Sequence, residues 1–328
     1  NAALEMEKSA LEYDSKISAV DYCLIGYGKE LTSLANTNNI DKEYKANNIT
    51  AYISVIAKYN DDIKTAGEYW TGNDWTNFNP KKLGEKAAEK AVSRFGAESV
   101  KSGKYDVILN NEVMSDILAT FCGVFFGEHV EKGFSLLKHK KGQLIGSEIL
   151  NLKDDGLLEN GLGSAPLDSE GVACKNKTVI ENGVLKTYLH NLKSAKKMNE
   201  PITGNGFRPS FKSPVITSCT NFYIENGNKQ PEEIYSIVKD GILITDVQGL
   251  HSGTNTISGD FSLSAEGYLI ENGKITKPVE QITIADNFYN VLKNVKEIGN
   301  DLRFSMPSGK GVFGSPMVYV GNMAVSGQ

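Results

Sequence analysis

Four histidines, His129, His139, His190 and His251, and four cysteines, Cys23, Cys122, Cys174 and Cys219, are the side chains here best suited to bind a metal or attack a substrate. A thermolysin-type metallopeptidase needs His-Glu-x-x-His, which sets two imidazoles one helical turn apart with a carboxylate beside the metal-bound water. The sequence contains no such element. Its nearest approach is "GEHVEKG", with Glu128 and His129 adjacent and His139 ten residues further on. Adjacent residues do not share a helix face, so this stretch is expected to be a solvated helix end with a cation near the negative pole of the helix dipole. The cysteines lie far apart, form no Cys-x-x-Cys pair and sit in no nucleophile signature, and there is no Gly-x-Ser-x-Gly elbow. Reduced thiols in a cytosolic protein are expected, with Cys219, between two strand-like segments, buried and inert.

Two stretches imitate phosphate sites. "GKGVFG", residues 309 to 314, matches Gly-x-Gly-x-x-Gly, but a dinucleotide fingerprint comes after a strand and opens a helix. Here the next residues, "SPMVYV", are strand-like. "LKHKKGQ" has a basic run without interleaved aromatics and reads as an exposed turn. More informative is "SGTNTISGDFSLSAEGYLIENGKITKPV", residues 252 to 279. Its glycines allow close backbone approach, and Asn255, Gly259, Asp260, Ser262 and Glu266 are the candidate residues for a surface that recognises an extended chain. The competing reading is a polar loop that satisfies its own backbone through Asx and Ser/Thr turns. Strand addition at an open sheet edge is a further route to peptide binding.

These residues need elements to position them. The opening "NAALEMEKSALEYDSKISAVDYCL" carries Leu4, Ala10, Leu11, Ile17 and Val20 at roughly helical spacing, predicting a surface helix. "ITAYISVIAKY" reads as a strand paired with "ELTSLANTN". "FNPKKLGEKAAEKAVSRFG" predicts a helix with Asn79 as N-cap, Pro80 at the first helical position and Gly96 as the stop. After the short strand "YDVILN", a helix is expected over "NEVMSDILATFCGVFFGEHVEKG". Beyond residue 140 strands and turns replace helices almost to the end. Glu-Asn-Gly recurs at 159, 181, 225 and 271. Asn-Gly suits the φ > 0 positions of a tight turn, so the second and fourth copies are expected to close hairpins. "ADNFYNVLKNVKEIGND" predicts one more helix closing on Gly299, and "GSPMVYVGNMAVSG" a final strand pair. The expected fold is α+β: a helix-containing N-terminal part over residues 1–140 and a β-rich, antiparallel sheet or barrel-like domain over 141–328.

At 328 residues the chain can form two domains or one large one. A net charge of −5 gives no electrostatic footprint for nucleic acid. No window approaches eighteen apolar residues, which excludes a membrane-spanning helix. The first residue is Asn1 rather than Met, and the chain reads as part of a longer protein.

"SGTNTISGDFSLSAEGYLIENGKITKPVEQITIADNFYNVLKNVKEIGND", followed by "GSPMVYVGNMAVSGQ", closely resembles the C-terminal region of the TldD/PmbA family, often labelled modulators of DNA gyrase. The Gly-Asp-Phe-Ser core, the Glu-Asn-Gly hairpin, the Pro-Val after it and Ile-Gly-Asn-Asp keep the family's order and spacing. The likeness extends more loosely back through "YDVILNNEVMSDILATF" to the first helices, and most of the family's N-terminal α/β domain is missing. The resemblance implies a two-subunit cytosolic metallopeptidase whose partners enclose a channel for extended, unfolded polypeptides. TldD-type subunits carry zinc on a His-Glu-x-x-x-His helix and a later Cys-Gly-Lys; PmbA-type (TldE-like) subunits lack these ligands. Here the corresponding helix reads "SDILATFCGVFFGEHV", with no histidine before its last turn, and Ser308-Gly309-Lys310 stands where Cys-Gly-Lys is expected. A serine hydroxyl is a far poorer zinc ligand than a thiolate.

The resemblance thus implies a PmbA-like subunit that binds extended peptide, holds no zinc and has no catalytic residue, with zinc in a TldD-type partner. A homodimer is expected when that partner is absent. Alternatives are a stand-alone metallopeptidase with an unconventional site around Glu128 and His129, and a gyrase-associated interaction protein. Neither nucleic acid nor membrane is an expected direct partner.

Overall fold

In the computed structural model, which describes residues 1–328, the opening helix α1 covers Ala2–Leu11 and stops well before Val20. Asp14 turns the chain: its Oδ1 accepts from Lys16 N at 2.9 Å and its carbonyl from Ile17 N at 3.0 Å. Ile17 and Val20 therefore join strand β1 (Ile17–Ala35), which pairs with β2 (Asp41–Tyr59) as the expected hairpin. Strand β3 (Asp62–Gly72) completes an antiparallel sheet in the order β1-β2-β3. Helix α2 (Pro80–Val92) starts where the sequence places it, with Asn79 Oδ1 accepting from Lys82 N at 2.9 Å. Gly84 lets α2 approach α1, since a methyl group there would collide with Met6 O and Ser9 Oγ. Met6, Ala10, Ile53, Val55, Leu83 and Ala87 form the core of this unit, Asn1–Glu98.

The second unit, Ser99–Gln328, starts well before the change in texture near residue 140. The reason is that β4 (Gly103–Leu109) is a barrel strand and the helix after it is central to the same core. That helix, α3 (Asn111–Phe121), is capped by Asn110 Oδ1, which accepts from Val113 N at 2.8 Å. The long helix expected here is interrupted: a 3-10 turn, Cys122–Phe125, and an extended Phe126 separate α3 from α4 (Gly127–Lys132). Next come β5 (Leu152–Asp155), β6 (Asn176–Glu181), β7 (Val184–Leu185), α5 (Leu192–Met198), β8 (Gly206–Phe207), β9 (Ile216–Thr217) and β10 (Asn221–Ile224). After these lie α6 (Pro231–Val238), β11 (Gly241–Gln248), β12 (Asp260–Glu271), β13 (Lys274–Asn287) and α7 (Phe288–Asn294). The last elements are β14 (Glu297–Ile298), β15 (Arg303–Phe304), β16 (Val312–Ser315) and β17 (Val318–Ser326).

One sheet runs β13-β12-β11-β4-β17 and closes through β13–β17 pairing, giving a barrel that removes its open edges. A second, six-stranded sheet has the order β15-β16-β10-β5-β6-β7. Phe121 stacks on Phe288 of α7 at 4.8 Å and meets Phe261 of β12 at 6.2 Å, while Phe125 packs against Phe222 of β10, tying α3 and the 3-10 turn to strands of both sheets. The α+β class is as expected, with a β-rich C-terminal part. The final strands do not pair with each other: β16 lies between β10 and β15, while β17 enters the barrel. The last helix is short because Ala285–Asn287 pair in β13, where Asn287 also caps α7. Glu-Asn-Gly closes the β6–β7 and β12–β13 hairpins, with φ 48° and 76° at Asn182 and Gly183 and 52° and 76° at Asn272 and Gly273.

Candidate functional site

A recess of about 400 Å³ opens at the break between α3 and α4. Cys122, Gly123 and Phe126 form one wall, Glu128, His129 and Phe134 the next. Ile216, Thr217 and Ser218 form a third wall, with Thr120, Thr256, Ile257 and Lys310 around them. The 3-10 turn and extended Phe126 interrupt the helix here, and Cys122, Gly123 and Phe126 of this break line the recess. Gly127 N donates to Leu189 O at 2.8 Å and Leu189 N to Phe125 O at 2.9 Å, pinning the break to the rest of the unit. Ser135 Oγ donates to Val124 O at 2.6 Å and accepts from Leu137 N, holding the segment after α4 against it.

The third wall is fixed from beneath by a buried polar network. Asp154 is 0% exposed. Its Oδ1 accepts from Thr220 N at 2.7 Å and Thr220 Oγ1 at 3.0 Å, and its Oδ2 from Asn205 Nδ2 at 2.7 Å. Lys177 Nζ, also buried, lies 3.0 Å from Asp154 Oδ2 and donates to Thr203 O. Asn205 Nδ2 reaches Ser218 O as well, and Cys219 N donates to Lys310 O at 3.0 Å. One buried carboxylate thus sets both the β9–β10 segment and the approach of Lys310.

Thr217 is 2% exposed, and its Oγ1 has no hydrogen-bond partner in the protein. Its backbone N–H donates to Glu128 Oε1 at 3.3 Å. The His129 ring lies between Phe126, at 5.6 Å, and Phe134, at 6.4 Å. Its Nδ1 is 2.9 Å from where a side chain at Gly123 would begin. Along α3, Glu112, Asp116 and Thr120 recur at four-residue intervals on one face. Partial burial, then the charges of Glu112 and Asp246, push the Asp116 carboxyl up to about 6. Burial and the adjacent Cys122 push the Cys219 thiol well above its ordinary range, which favours the protonated form over the thiolate.

Glu128 and His129 are thus half-buried and line the recess, which corrects the expectation of a solvated helix end. His139 is exposed and does not line it. Glu128 accepts from Thr217 N, the Cys122 thiol points to Ala119 O at 3.3 Å, and no group of three or more His, Cys, Asp or Glu side chains converges to hold a metal ion.

The candidate residues of the 252–279 stretch divide into two sets. Asn255 Oδ1 accepts from Ile257 N and Ser258 N, and Gly259 N donates to Asn255 O. Asp260 accepts from Ser258 Oγ at 2.7 Å and Asn287 Nδ2 at 2.8 Å, bonds that hold its carboxyl below the ordinary range. Gly259 has φ 88° and packs on the Tyr289 ring. Asn255, Gly259 and Asp260 therefore build the loop, and its recess-facing residues are Thr256 and Ile257. Ser262 and Glu266 lie on β12 and are not among the lining residues. Sequence reasoning missed Thr217, Phe126 and Phe134, which carry no local signal, since only the broken helix brings them together.

Residues 102–327 match the model of the PmbA/TldA metallopeptidase C-terminal domain, and residues 1–95 that of the central domain. A metalloprotease PmbA homologue of Buchnera aphidicola subsp. Acyrthosiphon pisum is 28% identical over 297 residues, covering 90% of this chain and 64% of that protein. A metalloprotease TldD homologue of the same organism is 30% identical over 232 residues, 70% of this chain and 47% of its own length. The chain thus spans about two thirds of the length of the curated PmbA relatives. Among solved structures, a candidate modulator of a DNA gyrase from Thermotoga maritima superposes with a TM-score of 0.91 at 34% identity, covering 99% of this chain and 73% of that one. TldE from Thermococcus kodakarensis shares the fold, with a TM-score of 0.90 at 23% identity over 99% of this chain and 73% of its own.

Proposed function

Since the chain belongs to the TldD/PmbA metallopeptidase family, we propose that it is a PmbA-like (TldE-like) subunit that binds extended peptide and does not itself hold zinc. The observation that carries this reading is the convergence of two stretches on one recess. These are the helix preceding His129 and the Ser308-Gly309-Lys310 segment, where a TldD-type subunit is expected to place its zinc ligands. In this chain they bring Cys122, Gly123 and Lys310 to a largely apolar cavity. A concave, mostly apolar site with a few fixed polar groups suits binding and orientation of a substrate. The metal would polarise the scissile carbonyl and its bound water from the TldD-type partner. This chain's part is to hold the peptide: Asn255, Gly259 and Asp260 position Thr256 and Ile257, and the Asp154 network positions Thr217 and Ser218.

Four free cysteines suit a reducing compartment, in keeping with a cytosolic complex. No helix is long and apolar enough to cross a membrane. Without its partner the subunit is expected to self-associate as a homodimer. The test is elemental analysis of the purified chain together with peptide cleavage, alone and with a TldD-type subunit. The expected result is less than stoichiometric zinc and cleavage only in the mixture. One zinc per chain with cleavage by this chain alone would replace the proposal with a stand-alone metallopeptidase using Glu128 and His129.

A further inference from the structure

We infer that the recess between the 3-10 turn and β9 receives one tyrosine side chain of the bound peptide. The inference rests on the peptide-binding reading above and adds a side-chain preference to it. Three observations carry it. The walls are apolar and aromatic, with Phe126, Phe134, Ile216 and Ile257 around the space, and aromatic rings favour offset or edge contacts with another ring. At about 400 Å³ the recess is at the small end of ligand cavities, roughly 300–1,000 Å³, fitting one large side chain and its adjoining backbone. Thr217 Oγ1, on a residue 2% exposed and without a partner, is a buried hydroxyl left for something the protein does not provide. A ring with a hydroxyl at its far end satisfies both the apolar walls and that group. The charged residues at the recess include both signs, Glu128 and Lys310, so neither a cationic nor an anionic side chain is favoured by charge.

The experiment is fluorescence anisotropy of one unfolded host peptide bearing Tyr, Phe, Leu, Ala or Lys at a single guest position. The expected order is Tyr, then Phe, then Leu, with Ala and Lys at least tenfold weaker than Tyr. The step from Tyr to Phe is expected to be about two- to tenfold, as for one hydrogen bond. Thr217→Val is expected to equalise Tyr and Phe while both stay ahead of Ala, with the melting temperature of the free protein unchanged or raised. Ile257→Trp, which fills the recess from its exposed rim, is expected to abolish the aromatic preference, so that the Tyr and Phe peptides bind this variant no better than the Ala peptide does. Equal binding of all five guests overturns the inference and leaves the peptide-binding reading standing. Failure of every peptide to bind overturns both. A Tyr-over-Phe preference that survives in Thr217→Val overturns the role given to the hydroxyl.

Discussion

Replacing Lys177 with methionine is expected to destabilise the second unit by about 3–5 kcal/mol, the usual cost of removing one partner from a buried ion pair. Asp154 has no access to solvent, and Lys177 is its only cationic partner among the four groups that hold it. Without the ammonium, the carboxylate either remains charged in a low-dielectric site or takes up a proton, and both cost free energy. Thr220 and Asn205 would still donate to it, but they supply dipoles and not a full charge. The measurement is denaturant unfolding, with the midpoint lowered and the slope unchanged. Because the same carboxylate sets the β9–β10 segment, weaker peptide binding is expected alongside. A loss below 1 kcal/mol would mean that the hydrogen bonds alone support Asp154, and the network would lose its assigned role.

Stability should also fall steeply as pH drops from about 6.5 to about 4, through His190. Its ring is 1% exposed, Nδ1 lies 3.1 Å from Ser194 Oγ, and Nε2 has no partner in the protein. Burial pushes its pKa down to about 4, with Glu200 and Lys141 acting in opposite directions. The folded-state pKa is below the unfolded one, so the unfolded chain binds a proton first. The stabilising contribution is complete above pH 6.5 and is lost as pH falls toward 4, by up to ~3 kcal/mol. The ring sits against Gly127, where any side chain would collide with it. Comparing unfolding free energies of the parent protein and His190→Gln at pH 7 and pH 4.5 isolates this group from the carboxylates. A difference between the two proteins that does not change with pH would refute it.

Local chemistry made α2 legible, because Asn79 and Pro80 act on adjacent backbone groups. The Asn-Gly hairpins at 182 and 272 were legible for the same reason, their φ > 0 being a property of two residues. Helices α5 and α6 were overlooked within the β-rich part, although Asn191 Oδ1 accepts from Ser194 N and Glu233 accepts from Gln230 N as ordinary caps. The apolar spacing through Val20 and through Phe126 misled because helical periodicity continues past residues whose tertiary partners pull the chain extended. Ile17 pairs opposite Ala57, and Phe126 bridges to Leu189. The site was legible as a region and not as a residue set. The polar side chains of the 255–260 loop drew attention, yet several bond one another, and Thr256 and Ile257 between them line the recess. Thr217 carries no sequence signal, because what marks it, a hydroxyl buried without a partner, is a property of the tertiary structure.

The central claim is that this chain grips extended peptide through its own surface and without a metal of its own. Its most direct test is the anisotropy of a labelled, unfolded peptide titrated with the protein before and after exhaustive chelation. The expected result is saturable binding with the same affinity in both states. Binding that disappears on chelation and returns with added zinc would contradict the claim.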